Sequence, residues 1–209
     1  MARQRAFDRE AALESALLAF WRHGYEATSI AELTAAMGIK PPSLYAAFGD
    51  KRRLFEEAVQ RYQETYGAFT TRALAEEPTG RRAIERVLRE AAAEYASAEH
   101  PSGCLVITAA VNCGPESAEV EESLRELREQ AKAALRRRID DDVAAGRLPA
   151  ETDTAGLATF YASVIQGMST QSRDGASHAD LLAIATLAMS AYPASGHPRA
   201  GSADWSAAR

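Results

Sequence analysis

Residues Thr28 to Leu54 read TSIAELTAAMGIKPPSLYAAFGDKRRL, and this stretch decides the fold. Thr28, preceding Ser29 and Ile30, has the chemistry of an N-cap, and Ile30, Leu33 and Met37 follow as an i, i+3, i+7 apolar stripe. Gly38 ends that helix and permits a sharp turn. Pro41 and Pro42 are tolerated only in the first turn of a helix, so a second short helix starts near Pro41 and runs to about Phe48. Gly49-Asp50 breaks it, and Asp50 caps a further helix beginning at Lys51 or Arg52.

The second of these helices presents small, polar and basic groups in place of a second apolar face. That is the layout of a helix-turn-helix, with duplex DNA as the leading partner. Ser43, Ala46 and Ala47 are small enough to let a backbone approach the floor of a major groove about 12 Å wide. Leu44 and Phe48, four apart, face back into a core, while Lys40 and Tyr45 can extend to base edges or phosphates. Only three lysines occur in the chain, and two of them, Lys40 and Lys51, lie here. Arg52 adds charge beside Lys51, and Arg3 and Arg5 precede the first helix within reach of backbone or minor groove. Three packed short helices with a solvated basic edge remain the plain alternative.

Working outward, a preceding helix spans about Phe7 to His23, with Leu13, Leu17, Phe20 and Trp21 as its apolar stripe and Gly24 as its stop. Downstream, helical periodicity dominates and no segment alternates at period two. The spacing predicts helices from Lys51 to Glu76, Arg81 to Ala98, Cys104 to Val111, Glu116 to Ala145, Asp153 to Gln171 and Ala176 to Tyr192. The chain is therefore expected to be all-α, with about nine helices: a DNA-binding domain over 1–50, a helical domain over 51–192 and a disordered Pro/Gly/Ser/Ala-rich tail over 193–209.

Composition narrows the function. The 209 residues are 46% hydrophobic and 25% charged, as in an ordinary globule. No apolar run is long enough to span a membrane, the N-terminus has no apolar leader, and two cysteines make no disulfide framework, so a cytoplasmic protein is expected. The net charge of −5 divides unevenly: residues 1–55 hold eight Lys/Arg against six Asp/Glu, a balance of +2 that leaves −7 for the rest. A basic end on an acidic body suits a DNA reader with a separate second domain. His23, His100, His178 and His197 lack metal spacing, and no phosphate-binding, dinucleotide or hydrolase motif occurs, so neither metal nor cofactor nor enzyme activity is expected. Cys104 and Cys113, nine apart, would point to opposite sides of one helix. Asp140-Asp141-Asp142 reads as a solvated helix edge.

The succession Phe20, Gly24, Ala27-Thr28-Ser29-Ile30-Ala31, Ala35, Met37-Gly38-Ile39, Ser43-Leu44-Tyr45, Phe48-Gly49-Asp50-Lys51 and Leu54 closely resembles the N-terminal domain of the TetR/AcrR family of bacterial regulators. The resemblance implies a repressor that binds a palindromic operator as a homodimer and is released by a small-molecule effector. It implies phosphate contacts from Thr28, Tyr45 and Lys51, with Ser29 at the same helix start, and base-proximal positions at Lys40, Pro42, Ser43 and Ala46. The Pro41-Pro42 pair departs from the commoner small or polar residues there, so base reading by those two positions would be apolar.

Two-fold operators need two recognition helices, and the last two helices are apolar around more than one face. Phe160, Val164, Met168, Leu181, Ile184 and Leu187 are the candidates for the dimer interface; a monomeric core with both helices internal is the alternative. In the resembled family the middle helices enclose a ligand pocket. Here Tyr62, Tyr66, Phe69, Tyr95, Cys104, Thr108, Asn112 and Tyr161 supply aromatic surface with a few polar tips, although core packing accounts for each of them singly just as well.

Overall fold

The computed structural model describes residues 7–111 and 113–193, and over these it is helical, with no strand. The helices are α1 (Arg9–His23), α2 (Ile30–Met37), α3 (Pro41–Phe48), α4 (Lys51–Glu64), α5 (Ala68–Glu76), α6 (Gly80–Tyr95), α7 (Leu105–Thr108), α8 (Ala118–Ala144), α9 (Thr154–Arg173) and α10 (His178–Met189), with a 3-10 turn at Pro115–Ser117 before α8. Arg3, Arg5, Asn112 and the tail beyond Pro193 lie outside the described residues, so the expectations placed on them have no structural counterpart.

The first three helices start and stop where local chemistry requires. Asp8 accepts the amides of Glu10 and Ala11 at the start of α1. Ser29, not Thr28, caps α2, in a reciprocal box with Glu32. Gly38 ends α2 in the left-handed conformation at φ 66°. Apolar residues of α1 to α4 converge: Leu17, Phe20, Leu33, Leu44, Leu54 and Phe55 are all buried in one cluster that runs on into the second half of the chain.

α6 is the axis of that second half. Its buried residues, from Ala83 and Ile84 through Val87, Leu88, Ala91 and Ala92 to Tyr95, form a stripe wide enough to meet α5, α8, α9 and α10. α8 packs along α9, and α9 along α10.

Two sequence expectations fail for identifiable reasons. The single helix expected from Lys51 to Glu76 breaks after Glu64: the amides of Thr65 and Gly67 both turn back to the Tyr62 carbonyl, at 3.3 and 2.8 Å. The apolar period of Tyr62, Tyr66, Phe69 and Ala73 runs through the break and hides it, whereas Thr65 and Gly67 are the residues that disfavour continuation. The aspartate run is not uniformly solvated. Asp140 and Asp141 are exposed, but Asp142 is 1% exposed. It accepts from the amides of Gly80 and Arg81 at the start of α6, from the Tyr192 hydroxyl at 2.7 Å and from Arg147 Nε at 2.7 Å. An aspartate facing the free amides of a helix start is a side-chain cap supplied from elsewhere in the chain.

Candidate nucleic-acid interface and ligand cavity

α3 divides cleanly. Leu44 and Phe48 are buried against α2 and α4, while Lys40, Pro42, Tyr45 and Ala46 are exposed and Ser43 is half-buried. Pro42, Tyr45 and Ala46 stand at i, i+3, i+4 and so share one outward stripe. Tyr45 is the large side chain on it, 50% exposed. The start of α3 offers no amide to a ligand: Pro41 and Pro42 have none, and the amides of Ser43 and Leu44 both donate to the Lys40 carbonyl. Whatever α3 recognises it must recognise with side chains.

The neighbouring polar groups are less free than their sequence positions suggest. Thr28 is buried, and its hydroxyl donates to the Gly24 carbonyl at 2.6 Å, so it holds the α1–α2 turn and does not face outward. Ser29 is exposed, but its hydroxyl and amide are both engaged by the Glu32 carboxylate, at 2.8 and 2.7 Å. Those two bonds hold the Glu32 carboxyl below the ordinary carboxylate range, the Ser29 amide contributing most. Lys51 turns inward: its ammonium lies 4.4 Å over the Tyr25 ring and donates to the Glu26 carbonyl at 3.4 Å, and burial lowers its pKa. Arg52 is paired with Glu56 and with Glu119 of α8. Among the described residues of α1 to α4 and their turns, Lys40, Arg22 and Arg53 are exposed cations that make no ion pair. Arg22 and Arg53 were not singled out from sequence; the signal lay in their lack of a carboxylate neighbour, which only the folded chain reveals.

The helix-turn-helix is tied to the second half through the α1–α2 turn. The Tyr25 amide donates to the Ala109 carbonyl, just after α7, at 2.7 Å. Gly24, at φ 82°, allows this approach, because a side-chain carbon there would come within 3.1 Å of the Ala109 oxygen. The Ser117 hydroxyl donates to Glu26 at 2.7 Å, and Arg173 at the end of α9 reaches the Trp21 carbonyl at 3.4 Å.

Beside α7 a cavity of about 160 Å³ opens between α4, α5, α8 and α9. Four of the predicted pocket residues line it: Tyr62, Phe69, Tyr95 and Cys104. Three described ones do not. Tyr66 lies away from it and donates to Glu14 at 2.7 Å; burial and that carboxylate push its phenol up to about 12. Thr108 donates back to the Cys104 carbonyl at 2.9 Å. Tyr161 is enclosed between α9 and α10, donates to the Ala188 carbonyl at 3.3 Å, and is pushed up to about 12 by burial. Sequence reading missed Ile107, Leu127, Arg128, Lys132, Ile165 and Gln166. Apolar and charged residues on long helices carry no mark distinguishing a cavity wall from a core or a surface.

The candidate dimer residues split as well. Phe160 is 40% and Leu187 72% exposed, and Val164 and Ile184 are half-buried. Met168 and Leu181 are fully buried within the protomer, so they brace α9 and α10 from inside and are out of reach of another chain. Among the described residues no helix is long and apolar enough to cross a membrane.

Known proteins match both halves. The model for bacterial regulatory proteins of the tetR family matches residues 12–58, and the model for the tetracyclin repressor-like C-terminal domain matches residues 80–179. The HTH-type transcriptional repressor ComR of Escherichia coli (strain K12) is 34% identical over 192 residues, covering 91% of this chain and 91% of ComR. The HTH-type transcriptional repressor BdcR of the same organism is 33% identical over 187 residues, 89% of each chain. Among solved structures, a cysteine mutant of the TetR family transcriptional regulator CifR, complexed with 26-bp double-strand operator DNA, has a TM-score of 0.88 at 43% identity, covering 92% of this chain and 100% of that one. The chain, with its helix-turn-helix and its helical C-terminal half, belongs to the TetR family of transcriptional regulators.

Proposed function

We propose that the protein is a cytoplasmic, homodimeric repressor that binds a palindromic operator through α3 and leaves it when a small molecule occupies the cavity. The observation that carries this is the division of α3: its large apolar residues, Leu44 and Phe48, are buried, and its outward stripe is narrow, with Ala46 and Pro42 flanking Tyr45. A narrow stripe lets the helix axis approach base edges, Tyr45 extends a hydroxyl to phosphate, and Lys40 adds charge at the end that enters first. Thr28 serves as a brace of the turn, while Ser29 and Lys51 reach phosphate only by leaving the Glu32 and Tyr25 seats they occupy in the free protein.

The dimer forms through α9 and α10, with Phe160, Val164, Ile184 and Leu187 as the contact. Two copies of α3 then meet half-sites one helical turn apart, about 34–36 Å. Ligand control is supported by the shared elements. Tyr62 stands on α4, which begins the moment α3 ends, and Cys104 and Ile107 stand beside or on α7, whose following carbonyl holds the α1–α2 turn. A ligand that prefers one arrangement of α4 and α7 shifts the separation of the two recognition helices, and by linkage operator binding weakens the ligand by the same factor.

The test is selection from a random duplex pool at about 150 mM salt with wild type and Tyr45→Ala side by side. Wild type alone is expected to enrich an inverted repeat. An intact dimer that enriches nothing overturns the proposal.

A further inference from the structure

The wall of the 160 Å³ cavity has an unusual polarity. It contains no aspartate and no glutamate. Of its two basic residues, Lys132 is paired with Glu129 at 2.6 Å, and Arg128 donates to the Val106 carbonyl at 2.9 Å. Gln63, Thr70, Thr71 and Gln166 add neutral polar groups, and the Tyr62 and Tyr95 phenols neighbour the Cys104 thiol. Burial pushes both phenols well up and raises the thiol, so all three stay neutral and protonated. The Tyr62 hydroxyl is buried and has no oxygen or nitrogen partner; only the Cys104 thiol, a weak acceptor, stands beside it. Buried polar groups are otherwise almost always paired with an oxygen or nitrogen, and a donor left with only a thiol beside it in a cavity wall marks where a ligand atom belongs.

We propose that this cavity takes an uncharged organic molecule about the size of one ring, with a single carbonyl or ether oxygen that accepts from the Tyr62 hydroxyl. The body of the ligand lies on Phe69, Ile107, Leu127 and Ile165. Size follows from volume, since a dry cavity of roughly 150 Å³ is enough for benzene. An ammonium group would find no carboxylate in the wall, and a carboxylate would lose its hydration where the cations within reach are Lys132, already paired with Glu129, and Arg128, tied to the Val106 carbonyl. This names the ligand class for the effector site proposed above and rests on that assignment of the cavity.

The test measures binding to the full-length protein without DNA. Dissociation constants are compared for acetophenone, ethylbenzene, benzoate and benzylammonium, against wild type, Tyr62→Phe and Tyr161→Phe. Tyr62→Phe removes only the hydroxyl, and Tyr161→Phe removes one that lies outside the cavity. Acetophenone is expected to bind wild type and Tyr161→Phe about tenfold more tightly than ethylbenzene, the worth of one hydrogen bond to a donor otherwise unsatisfied. In Tyr62→Phe that gap should close to within about twofold. An equal affinity of the two neutral rings for wild type, a gap that survives Tyr62→Phe, tighter binding of either charged probe, or no binding of either neutral ring overturns the proposal. Release of selected operator duplex is read separately. Acetophenone that binds in the Tyr62-dependent way but leaves the operator bound sustains the ligand class and overturns effector control by this cavity.

Discussion

The two surfaces on which this protein is proposed to meet its partners are built in opposite ways. At the helix-turn-helix every large aliphatic side chain of α3 is turned inward, and the outward stripe is left to Lys40, Pro42, Tyr45 and Ala46. On α9 and α10 the inward face is filled first, by Tyr161, Met168, Leu181 and Ala185, and apolar residues are still left over outside, with Phe160 and Leu187 the most exposed. A groove lined with phosphates rewards small size and hydrogen-bonding tips. A second protein surface rewards apolar area. Each half of the chain therefore carries the signature of its partner in what it leaves uncovered.

Two leucines put that difference on one scale. Leu44 on α3 is fully buried and Leu187 on α10 is 72% exposed. Leu44→Ala should cost about 2–5 kcal/mol of folding stability in denaturant melts, whereas Leu187→Ala should change the stability of the isolated protomer by less than about 0.5 kcal/mol. A small loss at Leu44 would mean that α3 is not held from within and that its outward stripe has no fixed register.

The reverse ordering is expected for assembly. Phe160→Asp with Leu187→Asp should leave helix content unchanged and convert the dimer to monomer in sedimentation at micromolar concentration. Operator affinity should fall about hundredfold, because the second half-site is no longer engaged at a high effective concentration. A variant that remains dimeric would move the interface off these helices and erase the contrast with α3.

Asp142 supplies an intermediate effect and a pH dependence. Burial raises its carboxyl, but the Tyr192 hydroxyl, the Gly80 amide, Arg147 and the Arg81 amide together outweigh burial and hold it below its ordinary value of 3.8. A folded-state value below the unfolded one adds stability that is complete above the unfolded value and is lost as pH falls through the folded one. Asp142→Asn should therefore cost about 1–3 kcal/mol near neutral pH. The gap between wild type and variant in thermal melts should narrow below about pH 4. A gap that widens on acidification would show that the carboxyl is not the group holding the start of α6.

Much of this was legible in the sequence, and the limit has a physical form. Boundaries set by local chemistry were readable: Pro41-Pro42 at the start of α3, Gly38 at the end of α2 and Asp50 at the start of α4 all act where the sequence places them. So was the division of α3, because Leu44 and Phe48 are four apart on a helix with only one apolar face. Features made by distant residues were not readable. Asp142 looks like one more charge in an acidic run until Gly80 and Tyr192 arrive from 62 and 50 residues away. Met168 and Val164 are equivalent in sequence pattern, and only the packing of α9 among α6, α7, α8 and α10 buries one fully and the other in part.

Thr28 gives the smallest expected effect and the finest discrimination. The family resemblance assigns it to a phosphate, yet its hydroxyl is buried and donates to the Gly24 carbonyl, one residue before the amide that holds Ala109. If it is a brace, Thr28→Val leaves the Gly24 carbonyl without that donor and should cost about 1 kcal/mol in stability. Thr28→Ser keeps the hydroxyl and should stay within about 0.5 kcal/mol. Any loss of operator affinity in Thr28→Val would then accompany the loss of stability and ease when the fold is stabilised by an osmolyte. If instead operator binding falls while stability is unchanged, the hydroxyl must turn out to the DNA on binding. The turn that joins α1 to α2 would then rearrange in the complex, and the adjoining hydrogen bond from the Tyr25 amide to the Ala109 carbonyl would be the next contact to examine there.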